Sequence, residues 1–77
     1  MTEIRVPQLG ASITEGTFIG WLVDDGAAVN EGDPIYEIAT DKVETLVEAP
    51  ASGTIRQDAT PEEVYQVGHL IGHIEPA

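Results

Sequence analysis

Lys42 is the only lysine in this 77-residue sequence. The other two fixed cations, Arg5 and Arg56, carry guanidinium groups that stay protonated and cannot serve as amine nucleophiles. Lys42 stands between Asp41 and Val43, with Glu37, Glu44 and Glu48 also near it in the chain. An exposed lysine in such a setting presents an amine for acylation, which removes its charge. From the residues alone, a lysine that merely solubilises a loop remains the plainer alternative. His69 and His73 share a spacing that binds zinc on a helix. On a strand they would lie about 13 Å apart along one face, too far to share a metal. Asp24-Asp25 and Glu62-Glu63 lack the oxygen-ligand spacing of a calcium loop, so no metal site is expected. No serine or cysteine is paired with a base and no glycine loop cradles phosphate, so no catalytic residue is assigned and a stand-alone enzyme is disfavoured. Phe18, Trp21, Tyr36 and Tyr65 are too few and scattered for a stacking platform.

Composition narrows the classes further. A chain this short buries only about 60% of its unfolded surface and has room for one domain. Fourteen acidic side chains against three basic ones give a net charge of −11, which argues against nucleic acid and anionic membranes. The absence of cysteine excludes a disulfide scaffold, a cysteine zinc site and a thiol nucleophile. No stretch approaches the roughly 18 apolar residues of a membrane span, and Met1-Thr2-Glu3 does not read as a signal-peptide start. A small acidic domain of the cytoplasm is the expectation, or of the mitochondrial matrix if the source is eukaryotic.

The elements that must position Lys42 are strands. Glycines and prolines recur too closely for a long helix, and β-rich stretches fall between them at residues 3–6, 17–23, 34–40, 43–49, 53–56 and 69–74. Val43, Thr45, Val47 and Ala49 alternate with Glu44, Leu46 and Glu48. Asp41-Lys42 then falls on a tight hairpin turn. One helical turn competes at Thr60-Pro61-Glu62-Glu63-Val64, where a Thr cap precedes Pro at the first helical position.

A weak internal repeat orders these strands. Glu15-Gly16-Thr17-Phe18 is echoed by Ser52-Gly53-Thr54-Ile55 at an offset of 37, and residues 29–38 are echoed by residues 65–74 at an offset of 36. Gly16 and Gly53, at matching positions, suit a role in backbone geometry. The repeat predicts an all-β fold of two similar sheets packed face to face about a pseudo-twofold axis. It also sets the turn near position 42 at the opposite end from both termini.

Several motifs together resemble the lipoyl domains of the dihydrolipoamide acyltransferase (E2) component of 2-oxo acid dehydrogenase complexes. They are Val6-Pro7-Gln8-Leu9-Gly10, Thr14-Glu15-Gly16-Thr17, Gly32-Asp33-Pro34-Ile35, Glu37-Ile38-Ala39-Thr40-Asp41-Lys42-Val43 and Ala49-Pro50-Ala51-Ser52-Gly53-Thr54. The most specific are Thr40-Asp41-Lys42-Val43 and the Gly53-Thr54-Ile55 that begins 11 residues beyond the lysine. The resemblance implies a flattened β-barrel of two four-stranded antiparallel sheets with quasi-twofold symmetry, a barrel-sandwich hybrid. It implies lipoic acid in amide linkage to Lys42, attached by a lipoate ligase or transferase that recognises the flanking Asp41 and Val43. The arm would be reductively acylated by the E1 component, pass its acyl group to coenzyme A at the E2 catalytic core, and be reoxidised by dihydrolipoamide dehydrogenase (E3). By this likeness Lys42 is an attachment point, and the domain, monomeric when isolated, is no catalyst.

The loop of Gly10, Ala11, Ser12, Ile13 and Thr14 departs from the family pattern, which usually has Gly-Glu-Ser where this chain has Gly10-Ala11-Ser12. The family places that loop beside the lipoyl turn as an E1-recognition element. The second copy of the repeat also lacks the usual Gly-Asp turn and reads Thr60-Pro61-Glu62-Glu63, as a surface loop would. Within the fold, a biotinyl carrier is the nearest competitor, but its lysine normally lies between methionines, and the only methionine here is Met1. An unmodified barrel-sandwich interaction module needs no exposed hairpin lysine. One folded domain over residues 3–75 is expected, with Pro76-Ala77 opening an Ala/Pro-rich linker.

Overall fold

The computed structural model describes residues 1–41 and 43–76, arranged as eight strands. In chain order they are β1 (Thr2–Arg5), β2 (Glu15–Trp21), β3 (Ala28–Val29), β4 (Pro34–Ala39), β5 (Glu44–Glu48), β6 (Gly53–Gln57), β7 (Glu63–Gln66) and β8 (Leu70–Glu75). They form two antiparallel four-stranded sheets, ordered β1-β8-β6-β3 and β5-β4-β2-β7. Advancing every strand of the first sheet by four, and wrapping past β8, yields the order of the second. The repeat read from the sequence is therefore the symmetry of the fold.

Backbone hydrogen bonds in the loops carry the same symmetry. Asp33 N–H donates to the Asn30 carbonyl, and 36 residues later His69 N–H donates to that of Gln66, both at 3.0 Å. Leu22 N–H to the Ile35 carbonyl (2.8 Å) is answered by Asp58 N–H to that of Ile71 (3.0 Å). Gly26 N–H to the Ile55 carbonyl (2.8 Å) is answered by Glu62 N–H to that of Phe18 (2.7 Å).

These pairs correct two expectations at residues 60–64. The second copy does not lose its glycine turn, because the counterpart of Gly32-Asp33 is Gly68-His69, with Gly32 and Gly68 at φ 92° and 89°. Thr60-Pro61-Glu62-Glu63 instead matches Asp24-Asp25-Gly26-Ala27, with Glu62 at φ 68° where Gly26 stands at 86°. No helical turn forms there. A left-handed Glu62 ends any right-handed start, its N–H is taken by Phe18 across the sheet, and β7 begins at the next residue. The sequence reading also omitted β3 and β7, and it began β2 two residues late. Both omitted strands are short and lie at sheet edges, where pairing rather than apolar patterning defines them.

The core lies between the sheets. Ile4, Ile55, Ile71 and Ile74 come from one, and Phe18, Ile35, Tyr36 and Ile38 from the other. Phe18 sits 5.0 Å from Trp21, 5.2 Å from Tyr36 and 6.2 Å from Tyr65, ring centre to ring centre. The aromatic residues scattered in sequence thus meet inside, as packing rather than as a platform. Burial pushes the Tyr36 phenol up to about 12, and its hydroxyl has no hydrogen-bond partner among the described residues. Gly53 is required for a steric reason: its φ is 153°, and a β-carbon there would collide with the Glu75 carbonyl.

Candidate functional site

The hairpin between β4 and β5 is closed by Thr40 and Val43. Thr40 N–H donates to the Val43 carbonyl at 2.8 Å, and Val43 N–H donates to the Thr40 hydroxyl oxygen at 3.3 Å. The ladder below is regular, with Ala39 opposite Glu44 and Ile38 opposite Thr45. Lys42, expected as the attachment point, lies outside the described residues, as does Ala77 at the start of the expected linker. Of the residues flanking Lys42, Asp41 and Val43 are both exposed. Val43 belongs to the turn and points outward, although the alternation grouped it with the inward Thr45 and Val47.

The loop expected to govern E1 choice comes up against this hairpin. Ile13 N–H donates to the Gly10 carbonyl at 3.1 Å, and the Gln8 side-chain amide donates to the carbonyls of Gly10 and Ile13. Residues 12–17 then form one wall of a groove of about 430 Å³, with residues 39–41 and Val64 completing it. Ser12, Ile13 and Thr14 are thus brought together with Thr40 and Asp41, whereas Gly10 and Ala11 do not line the groove.

Val64, Thr17 and Ala39 join the site only through pairing across the sheet, since Thr17 stands opposite both Ala39 and Val64. Sequence reasoning missed Val64 because β7 was not foreseen. Beside them, Glu37 and Glu44 approach across β4 and β5. The hydrogen bond that a protonated Glu37 carboxyl donates to Glu44 holds Glu37 above the usual carboxylate range, with partial desolvation and the Glu44 charge adding to the shift. Leu46, opposite Glu37, is 58% exposed. Its signal was in the sequence, because it is the apolar residue in the Glu44, Leu46, Glu48 phase of the alternation.

His69 stacks on Tyr65 at 4.9 Å between β7 and β8, while His73 lies on β8 beside Glu75.

Residues 2–74 match the biotin/lipoyl family model, described as "Biotin-requiring enzyme". The chain belongs to this family. Its backbone superposes on the solution structure of the lipoyl domain of the 2-oxoglutarate dehydrogenase complex from Azotobacter vinelandii with a TM-score of 0.79, at 32% identity and over 100% of both chains. Similar curated proteins include the lipoamide acyltransferase component of the branched-chain alpha-keto acid dehydrogenase complex of Bacillus subtilis, 46% identical over 95% of this chain and 18% of that protein. Another is the acetyltransferase component of the pyruvate dehydrogenase complex of Corynebacterium glutamicum, 39% identical over 99% of this chain and 11% of that protein. The chain spans about a fifth or less of the length of these relatives. Within the family it is a lipoyl domain of the acyltransferase type, with the role of a lipoyl carrier, and the biotinyl alternative is not better supported.

Proposed function

We propose that this lipoyl domain carries lipoic acid in amide linkage on Lys42 and serves an E2 acyltransferase, receiving acyl groups at E1, yielding them at the E2 catalytic core and being reoxidised by E3. The reading rests on the only lysine of the sequence falling between Asp41 and Val43, both exposed, in the β4–β5 connection that paired bonds between Thr40 and Val43 close. These residues suit the group. An arm that must reach separate active sites needs an attachment point that nothing overlies, and the flanking Asp41, Val43 and Glu44 are all exposed. The lipoyl group would supply the thiol–disulfide chemistry that takes up and releases an acyl group with two electrons.

The chain's own contribution is position and recognition. The hairpin ladder fixes where Asp41 and Val43 stand, and these are the side chains a lipoate ligase or transferase meets on either side of the lysine. The groove wall of Ser12, Ile13 and Thr14 gives the E1 component a feature to read beside the arm. No catalytic role falls to the domain itself.

Intact mass after incubation with lipoate, ATP and a lipoate ligase tests the reading. The native chain is expected to gain one lipoyl group and Lys42→Arg none, with an unchanged melting temperature. A lipoylated Lys42→Arg, or a folded native chain that stays unmodified, overturns it. For E1 choice, Ala11→Glu is expected to change reductive acylation by at least one of the pyruvate, 2-oxoglutarate and branched-chain E1 enzymes. Unaltered rates with all three would remove the loop from recognition.

A further inference from the structure

The two sheets share a topology but present unlike outer faces. On the β1-β8-β6-β3 sheet the cross-strand row is Glu3, His73 and Arg56. Its acids are paired: Arg5 with Glu3 at 3.1 Å and Arg56 with Glu75 at 3.0 Å. By the 36- and 37-residue offsets, the counterparts of His73 and Arg56 on the other sheet are Glu37 and Ile19, and Leu46 faces Glu37 where Glu3 faces His73. A histidine and an arginine are thus replaced by a carboxylate and an apolar side chain, and the carboxylate at the edge by leucine. Ile19, Leu46 and Val64 are 42%, 58% and 54% exposed. Around them on this face stand Glu15, Glu37, Glu44 and Glu48, and no described arginine or histidine lies on it.

We infer that the outer face of the β5-β4-β2-β7 sheet is the docking surface for the E1 enzyme that loads the domain, and that E1 meets it with lysine or arginine side chains around an apolar contact. The inference rests on the carrier reading above and goes beyond the loop and hairpin to the sheet behind them. Three properties point to this occupant. The face is continuous with the groove, since Thr17, Ala39 and Val64 belong to both. Exposed apolar side chains ringed by carboxylates that form no ion pair among the described residues suit a contact whose centre is dry and whose rim is complementary. A second copy fits poorly, because a twofold contact would set this carboxylate-ringed patch against another of the same sign. An anionic membrane is repelled for the same reason.

The test uses the 77-residue chain with E1 enzymes specific for pyruvate, 2-oxoglutarate and branched-chain 2-oxo acids. In NMR titrations of the unmodified, isotope-labelled domain, the amides of Ile19, Glu37, Leu46 and Val64 are expected to shift or broaden with its cognate E1, while those of β1 and β6 stay in place. With lipoylated protein, the double variant Leu46→Ser, Val64→Ser is expected to raise KM for reductive acylation roughly tenfold with little change in kcat. Leu70→Ser, an exposed apolar residue on β8 of the other sheet, should leave both unchanged. Glu37→Gln with Glu44→Gln should flatten the salt dependence of kcat/KM. The inference fails if perturbations map elsewhere or no E1 perturbs the face. It fails too if the serine variant keeps the native KM, or if sedimentation shows that the face pairs two copies. Loss of lipoylation in the mass assay would strike the carrier reading instead, and the titration of the unmodified domain reads the face independently.

Discussion

The two sheets of this domain share one topology, and they differ in their outer faces and at the hairpin. Both have four strands in matching order, turns closed by matching hydrogen bonds, and a left-handed residue after the second and sixth strands. On the β1-β8-β6-β3 sheet the exposed face is charge-paired, and its symmetry equivalent of the lysine hairpin is where the chain begins and ends. On the β5-β4-β2-β7 sheet the equivalent ends are joined by the hairpin, and the face beside it is acidic and apolar. A duplicated backbone secures stability in both halves and leaves the side chains of one free for recognition.

Several substitutions sharpen that comparison, and the first should have the largest effect. Gly16 and Gly53 occupy matching repeat positions but for different reasons. At Gly53 a methyl group meets the fixed backbone of Glu75, so Gly53→Ala is expected to cost about 3 kcal/mol or more. At Gly16 it meets the side-chain ends of Leu9 and Ile38 at 2.9–3.1 Å, which can shift, so Gly16→Ala should cost about 1–2 kcal/mol. Urea melts of the two variants measure the difference, and equal losses would mean that the twofold pair is governed by backbone geometry alone.

A smaller effect separates the matching turns. Glu62 adopts a left-handed conformation without being glycine, so Glu62→Gly should stabilise by about 0.5–1 kcal/mol, whereas Gly26→Ala should destabilise by a similar amount. A neutral or destabilising Glu62→Gly would show that its side chain offsets the strain.

The smallest effects concern pH and have opposite signs on the two faces. Glu37 holds its proton more tightly when folded, so its contribution is present at low pH and lost as pH rises through the folded value. Glu37→Gln should therefore raise the melting temperature at pH 7 and lose that advantage in acid. Glu75 is lowered, chiefly by its hydrogen bond from Arg56, so its contribution is present above the unfolded value and lost as pH falls through the folded one. Glu75→Gln should lower the melting temperature at pH 7 and make no difference in acid. Melts of both variants from pH 3 to 7 check the signs, and parallel curves would refute the contrast between the faces.

Much of this was legible in the chain. The close spacing of Gly and Pro, the alternation from Thr45 to Ala49 and the echo of residues 29–38 in residues 65–74 dictate short strands repeated twice, because each follows from local sterics and periodic burial. The uniqueness of Lys42 and its place between β-rich runs are likewise facts of the sequence. Tertiary structure decided what depends on residues far apart in the chain. Glu62 is drawn out of a helical start by the distant Phe18 carbonyl, and β3 and β7 are strands only because β6 and β2 pair with them. Ser12, Ile13 and Thr14 reach Thr40 and Asp41 across a groove that no local pattern encodes. The exposed Leu46 among glutamates was visible as a break in the alternation, but Ile19 and Val64 share its face only through sheet register, which is set by the packing of the whole domain.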